Sequence, residues 1–148
     1  ERLKISINVE EEIKDIEVVI SCSRLTPEIE KVLATLRMME RQLLVKKGEE
    51  TYILDVSKVI YLESVDRRTF VYTRENVYES GFKLYELEQQ LEECGFFRAS
   101  KSCVAALRYI RSLKTDVNRK IKVTMENGEQ IMVSRQYAEE LRKKLGVK

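Results

Sequence analysis

Residues 59–80 read VIYLESVDRRTFVYTRENVYES. Two apolar and aromatic runs, VIYLES and TFVYTR, are joined by the charged link Val65–Arg68, and NVYES follows a turn at Arg74, Glu75 and Asn76. Short runs rich in β-branched and aromatic residues, bounded by polar turn residues, are strand signals. This stretch predicts three successive strands and sets a β-rich reading for what surrounds it.

Upstream, QLLVKKGEETYILDV (42–56) reads as a hairpin turning at Lys47–Glu49, with Gly48 in the turn. Downstream, KLYELEQQLEEC (83–94) switches to helical period, with Leu84, Leu87 and Leu91 on one face and Gly95 as a left-handed stop. RYIRSLKT (108–115) and KIKVTMENGEQIMVS (120–134) give three more strands, the last two closed at Asn127-Gly128. Ser134 is expected to cap a final helix, RQYAEELRKKLGV, with Tyr137, Leu141 and Leu145 inward.

Before residue 42, LKISINV and IEVVISC each alternate apolar residues, Ile5, Ile7, Val9 and Ile16, Val18, Ile20, across an acidic connector. A helix is then expected, with Thr26 as N-cap, Pro27 at its first position and an apolar stripe of Ile29, Val32, Leu33 and Leu36. The predicted class is α+β, mainly β with short helices: a small ββα leader over 1–41 and a second unit over 42–148. A small sandwich or layered sheet fits short strands of this kind better than a parallel α/β fold.

Composition narrows the function. The 148 residues contain no histidine, which removes Ser-His and Cys-His nucleophile pairs and imidazole metal ligands. Cys22, Cys94 and Cys103 are odd in number and widely spaced, so neither a disulfide framework nor a zinc site is expected, and a reducing, cytoplasmic setting is. Five scattered glycines form no phosphate-binding loop. No apolar run approaches the ~18 residues that span a bilayer. An enzyme, a cofactor and a metal are therefore not expected.

Charge is uneven. Residues 98–148 hold 13 Lys/Arg against 5 Asp/Glu, whereas residues 1–97 hold 14 against 20. A basic C-terminal third points to an anionic partner. Three places carry cations beside hydroxyls: Arg67, Arg68 and Thr69 between strands; Arg98, Ser100, Lys101 and Ser102 in FRASKSCVAAL; and Ser134 with Arg135 at a helix start. Arginine forks onto guanine edges or phosphates, hydroxyls bond phosphate oxygens, and a helix N-terminus favours an anion. Taken singly, each has a plainer reading: a solvated turn, a polar loop before the buried segment CVAAL, and a simple N-cap. Arg142, Lys143, Lys144 and Lys148 suit the negative end of the last helix, and the carboxylates of LEQQLEEC suit a solvated helix face.

The order VIYLESVDRRTFVYT, YESGFKLYELEQQL, FFRASKSCV, NGEQIMVSRQY and LRKKLG resembles the LytTR family of bacterial DNA-binding domains, over roughly residues 43–146. The resemblance implies an elongated fold of antiparallel β-sheets. It also implies transcription regulation through major-groove contacts at repeated promoter sites on double-stranded DNA. Carried onto this chain, the family's contacts fall on Arg67, Arg68 and Thr69, on Ser100 and Lys101, and on Arg135; Arg98 and Ser102 are expected to hold phosphate or give support. The segment before residue 42 resembles the leader of stand-alone LytTR proteins, too short for a phosphate-receiving domain, and a homodimer contact is expected of it. Ala105-Ala106 departs from the family's apolar-Asn pair, and a looser turn is expected there. The competing function is a protein-interaction module that docks an acidic partner on the basic face.

Overall fold

The computed structural model describes residues 3–147. It contains α1 (Pro27–Met39), β1 (Gln42–Lys47), β2 (Glu50–Asp55), β3 (Tyr61–Val65), β4 (Arg68–Tyr72) and β5 (Val77–Ser80). These are followed by α2 (Leu84–Gln90), β6 (Phe96–Ser100), β7 (Cys103–Ala106), β8 (Ile110–Thr115), β9 (Ile121–Met125), β10 (Gln130–Val133) and α3 (Arg135–Leu145). Seven strands form one sheet in the order β2-β1-β5-β4-β3-β7-β6, three form a second in the order β10-β9-β8, and every pairing is antiparallel. The expected mainly-β architecture is thus present.

Two cores sit on opposite faces of the long sheet. On one, Leu62, Val71, Val104 and Ala106 pack with Leu84 and Leu87 of α2 and Leu91 at its C-cap, and with Leu43, Val45 and Leu54 of the β1–β2 hairpin. On the other, Tyr61, Phe97, Ala99 and Ala105 meet Ile121, Val123, Met125 and Val133 of the small sheet and Ala138 and Leu141 of α3. Alternate residues of β3 and β6 therefore serve both cores, as the two-residue period of a strand requires.

The punctuation follows local chemistry. Gly48, Gly95 and Gly146 adopt positive φ where a turn or helix end needs it. Lys83 N donates to Glu86 Oε1 at 3.0 Å and closes the first turn of α2. The β9–β10 hairpin differs slightly from the simplest expectation. Asn127 keeps negative φ and only Gly128 is left-handed (φ 90°), which gives a three-residue loop with a glycine bulge in place of a two-residue turn.

Three expectations are corrected. The leader strands do not form: no strand precedes β1 among the described residues, and Ile5 and Ile16 are 81% and 98% exposed. Alternation signals strand preference, but an isolated pair of strands has too little apolar burial to hold itself. The leader helix does form, with Thr26 Oγ1 accepting from Ile29 N at 3.4 Å and Pro27 in its first turn. The stretch FRASKSC is a β6–β7 hairpin and not a loop before a buried segment. Ala105 and Ala106 lie in β7, in register with Phe97 and Phe96 and fully buried, so the departure from the family pattern falls in a paired strand and loosens no turn.

Candidate nucleic-acid interface

Three of the positions singled out from the sequence meet at one end of the long sheet. The β3–β4 hairpin turns through Asp66 and Arg67, flanked by the paired residues Val65 and Arg68. Both turn residues are left-handed, with φ of 50° and 65°. That is the two-residue turn whose twist matches a hairpin, built here without glycine. Holding Arg67 in this region costs roughly 1 kcal/mol. Beside this turn lies the β6–β7 turn, because β3 pairs with β7 and Ser64 N donates to Ser102 O at 2.9 Å. The β10–α3 junction joins them, with Ser134 N donating to Ala99 O at 3.0 Å. Backbone hydrogen bonds therefore tie all three positions together.

The side chains divide into free and committed. Arg67, Lys101 and Arg135 are exposed, and among the described residues their side chains have no ionic or hydrogen-bonding partner. Arg98 is committed. Its side chain is 16% exposed and donates from Nε to Ser100 O (2.6 Å), from Nη2 to Lys101 O (2.6 Å) and from Nη1 to Glu88 Oε1 (2.8 Å). It staples the β6–β7 turn to α2, across the register shift between Arg98 and Ser100. Of the two roles expected of it, phosphate contact and support, the geometry fits support.

Arg68 lies between these cases. It is exposed, forks onto both carboxylate oxygens of Glu79 and sits 5.2 Å over the Phe70 ring. The hydrogen bond and charge of Glu79 raise the Arg68 pKa, and the hydrogen bond from Arg68 holds Glu79 below the usual carboxylate value. Thr69 is a correction: at 4% exposure it is buried in β4 opposite Ser80, because strand alternation turns it inward between outward-facing Arg68 and Phe70.

The serines are local braces. Ser100 Oγ accepts from Ser102 N at 3.2 Å and lies 3.4 Å from Ser102 Oγ. Ser134 occupies the N-cap position of α3, yet its hydroxyl makes no capping bond, a second correction. Its carbonyl accepts from Tyr137 N and Ala138 N. Of the tail cations, Lys144 bonds Phe96 O at 2.9 Å, and Lys148 lies outside the described residues.

Cys103 is buried, and burial followed by the Glu63 carboxylate pushes its thiol up to about 12. Among the described residues no group of His, Cys, Asp or Glu could hold a metal ion. Among the described residues no helix is long and apolar enough to cross a membrane.

The sequence reading missed the turn at residues 116–120. It lies at the end of the small sheet that carries Ser134, since Val133 pairs with Ile121 and Ile121 with Thr115. The opposite end is marked independently by the Arg74–Glu126 ion pair, which joins the β4–β5 and β9–β10 turns. The signal available was the polar, basic run DVNRK between two strands.

Comparison with known proteins identifies the family. Residues 49–146 match the LytTr DNA-binding domain model. The chain is 31% identical over 108 residues to the sensory transduction protein LytT of Bacillus subtilis, covering 73% of this chain and 45% of that protein. It is 28% identical over 99 residues to an HTH-type transcriptional regulator of Staphylococcus aureus, covering 67% of each. The chain thus spans less than half the length of the LytT protein it matches. A solved LytTr DNA-binding domain of a methyl-accepting/DNA response regulator from Bacillus cereus superposes with a TM-score of 0.67 at 30% identity, covering 72% of this chain and 97% of that one. With about two-thirds of its length matched by the family model and its strands in the expected order, the chain belongs to the LytTR family of DNA-binding domains.

Proposed function

We propose that this chain regulates transcription by docking the end of its long sheet on repeated promoter sites. Arg67, Lys101 and Arg135 reach base edges or phosphates in the major groove. Ser100, Ser102 and Ser134 offer hydroxyls to the backbone. Arg68 trades part of its Glu79 contact for phosphate, while Arg98 and Thr69 hold the turns in place. The observation that carries this reading is the pair of hydrogen bonds, Ser64 N to Ser102 O and Ser134 N to Ala99 O, which sets three unpartnered cations on one edge. Free cations on fixed turns suit a phosphate lattice, because each one neutralised releases condensed counterions. The role is regulatory and not catalytic, and the setting we propose is the cytoplasm.

We further propose that two copies act together, joined through the leader. Its apolar residues Leu3, Ile5, Ile7 and Val9, and Ile16, Val18 and Ile20, are exposed in two alternating strings. Strands from a second copy would supply the third and fourth partners that one leader lacks. Sedimentation at micromolar concentration tests this: a monomer unchanged by deleting residues 1–40 refutes it.

The docking itself is tested by selecting bound sequences from a random duplex pool. A recurring motif with fixed repeat spacing, bound with affinity that falls log-linearly with salt, is the expected outcome. Enrichment of no motif, together with salt-insensitive binding to an acidic protein, would favour the interaction-module reading.

A further inference from the structure

The β8–β9 hairpin carries five exposed cations that the proposed docking leaves unused, and four of them, Lys114, Arg119, Lys120 and Lys122, lie in or beside its turn. Lys114 and Lys122 are register partners, directly opposite each other across the strands. Like charges so placed repel, and among the described residues neither is offset by a salt bridge. An anion between them would turn that repulsion into attraction.

The turn between the strands is built to present charge outward. Asp116, its one carboxylate, is consumed by the backbone: Oδ1 accepts from Asn118 N at 2.8 Å and from Lys120 N at 3.0 Å. Asp116 N donates to Lys120 O at 2.9 Å and closes the loop. Arg119 is held left-handed at φ 66°, a conformation non-glycine residues rarely adopt. The side chains of Arg119 and Lys120 are exposed and have no partner among the described residues.

Position completes the case. The strand pairs Val133–Ile121 and Ile121–Thr115 put this turn at the same end of the small sheet as Ser134 and Arg135. Two strand spacings, about 10 Å, separate β10 from β8. A duplex held at Arg135 would therefore run its sugar-phosphate backbone past the hairpin. We propose that Lys114, Arg119, Lys120 and Lys122 form a phosphate clamp on DNA flanking the groove that Arg135 enters. The proposal rests on the docking reading above but adds a separate, sequence-independent contact.

The test compares wild type with the triple variant Lys114→Gln, Arg119→Gln, Lys122→Gln on two duplexes of equal length. One is the duplex selected from the random pool and the other has mixed sequence. Binding is measured across a salt series. The expected result is a fall of about 2 to 3 in the slope of log affinity against log salt on both duplexes, with the ratio of the two affinities unchanged. The charge-preserving variant Lys114→Arg, Lys122→Arg should keep the wild-type slope. Circular dichroism confirms that each variant is folded. An unchanged slope in a folded triple variant overturns the clamp. If wild type fails to discriminate between the duplexes, the docking reading falls, yet the slope on mixed DNA still decides whether the hairpin holds phosphate. If the triple variant unfolds, the single variants Lys114→Gln and Lys122→Gln, each expected to lower the slope by about 1, decide it.

Discussion

The two ends of the long sheet are finished differently. At one end, Arg74 pairs with Glu126 and Lys47 with Asn76, so folding itself satisfies these two cations. At the other, Arg67, Lys101 and Arg135 stand on turns locked by backbone bonds, with no partner within the described residues. Nearby charge is spent on bracing instead: Arg98 on two carbonyls and Glu88, and Asp116 on two backbone N–H groups. Charges that are satisfied within the fold add to the fold. An end whose turns are rigid and whose cations are idle is prepared for an anion, because the ordering entropy is already spent before the ligand arrives.

Four substitutions break or sharpen this contrast. Phe97→Ala has the largest expected effect. Phe97 is buried between the two sheets and helps hold Arg135 beside Lys101, so its loss should cost about 3–5 kcal/mol in denaturant unfolding. Arg98→Ala removes three hydrogen bonds made by one charged group. It should cost roughly 2 kcal/mol of stability and weaken DNA binding in parallel, since Lys101 loses its brace. Arg67→Gly should separate stability from function: relief of the left-handed arginine raises the unfolding free energy by up to about 1 kcal/mol, while duplex affinity falls. Arg74→Ala, at the satisfied end, should leave duplex affinity unchanged in a gel shift and stability almost unchanged, because its ion pair is exposed.

Much of the fold was legible because each core has a clean period. Leu84, Leu87 and Leu91 along α2 and its C-cap, and the β9–β10 alternation, predicted their own burial. The β6–β7 hairpin was harder to read. All four residues of β7 are buried, so the run CVAA lacks the alternation that marks a half-exposed strand. The leader erred in the other direction, since Ile5, Ile7 and Val9 alternate but no partner edge is present to pair with them. A strand preference is local, whereas a strand is a property of two segments.

The candidate interface shows the same division. The positions of Arg67, Lys101 and Arg135 could be marked from neighbouring turns and helix starts. Which cations are idle could not, because that depends on contacts distant in sequence or folded back on a turn. Arg98 resembled a grip until Glu88 and two carbonyls claimed it. Thr69 resembled one until the β4 register turned it inward. The 116–120 turn drew no notice because its relation to Arg135 exists only through the pairing of β8, β9 and β10.

The central claim is that the idle cations, and not basic charge in general, carry the activity. The direct measurement is affinity for the selected duplex in Lys101→Ala and Arg135→Ala, set beside Arg74→Ala. The account predicts a loss of roughly 1–3 kcal/mol for each of the first two, with unfolding midpoints unchanged and no loss for the third. Equal affinity across all three variants and wild type would contradict it.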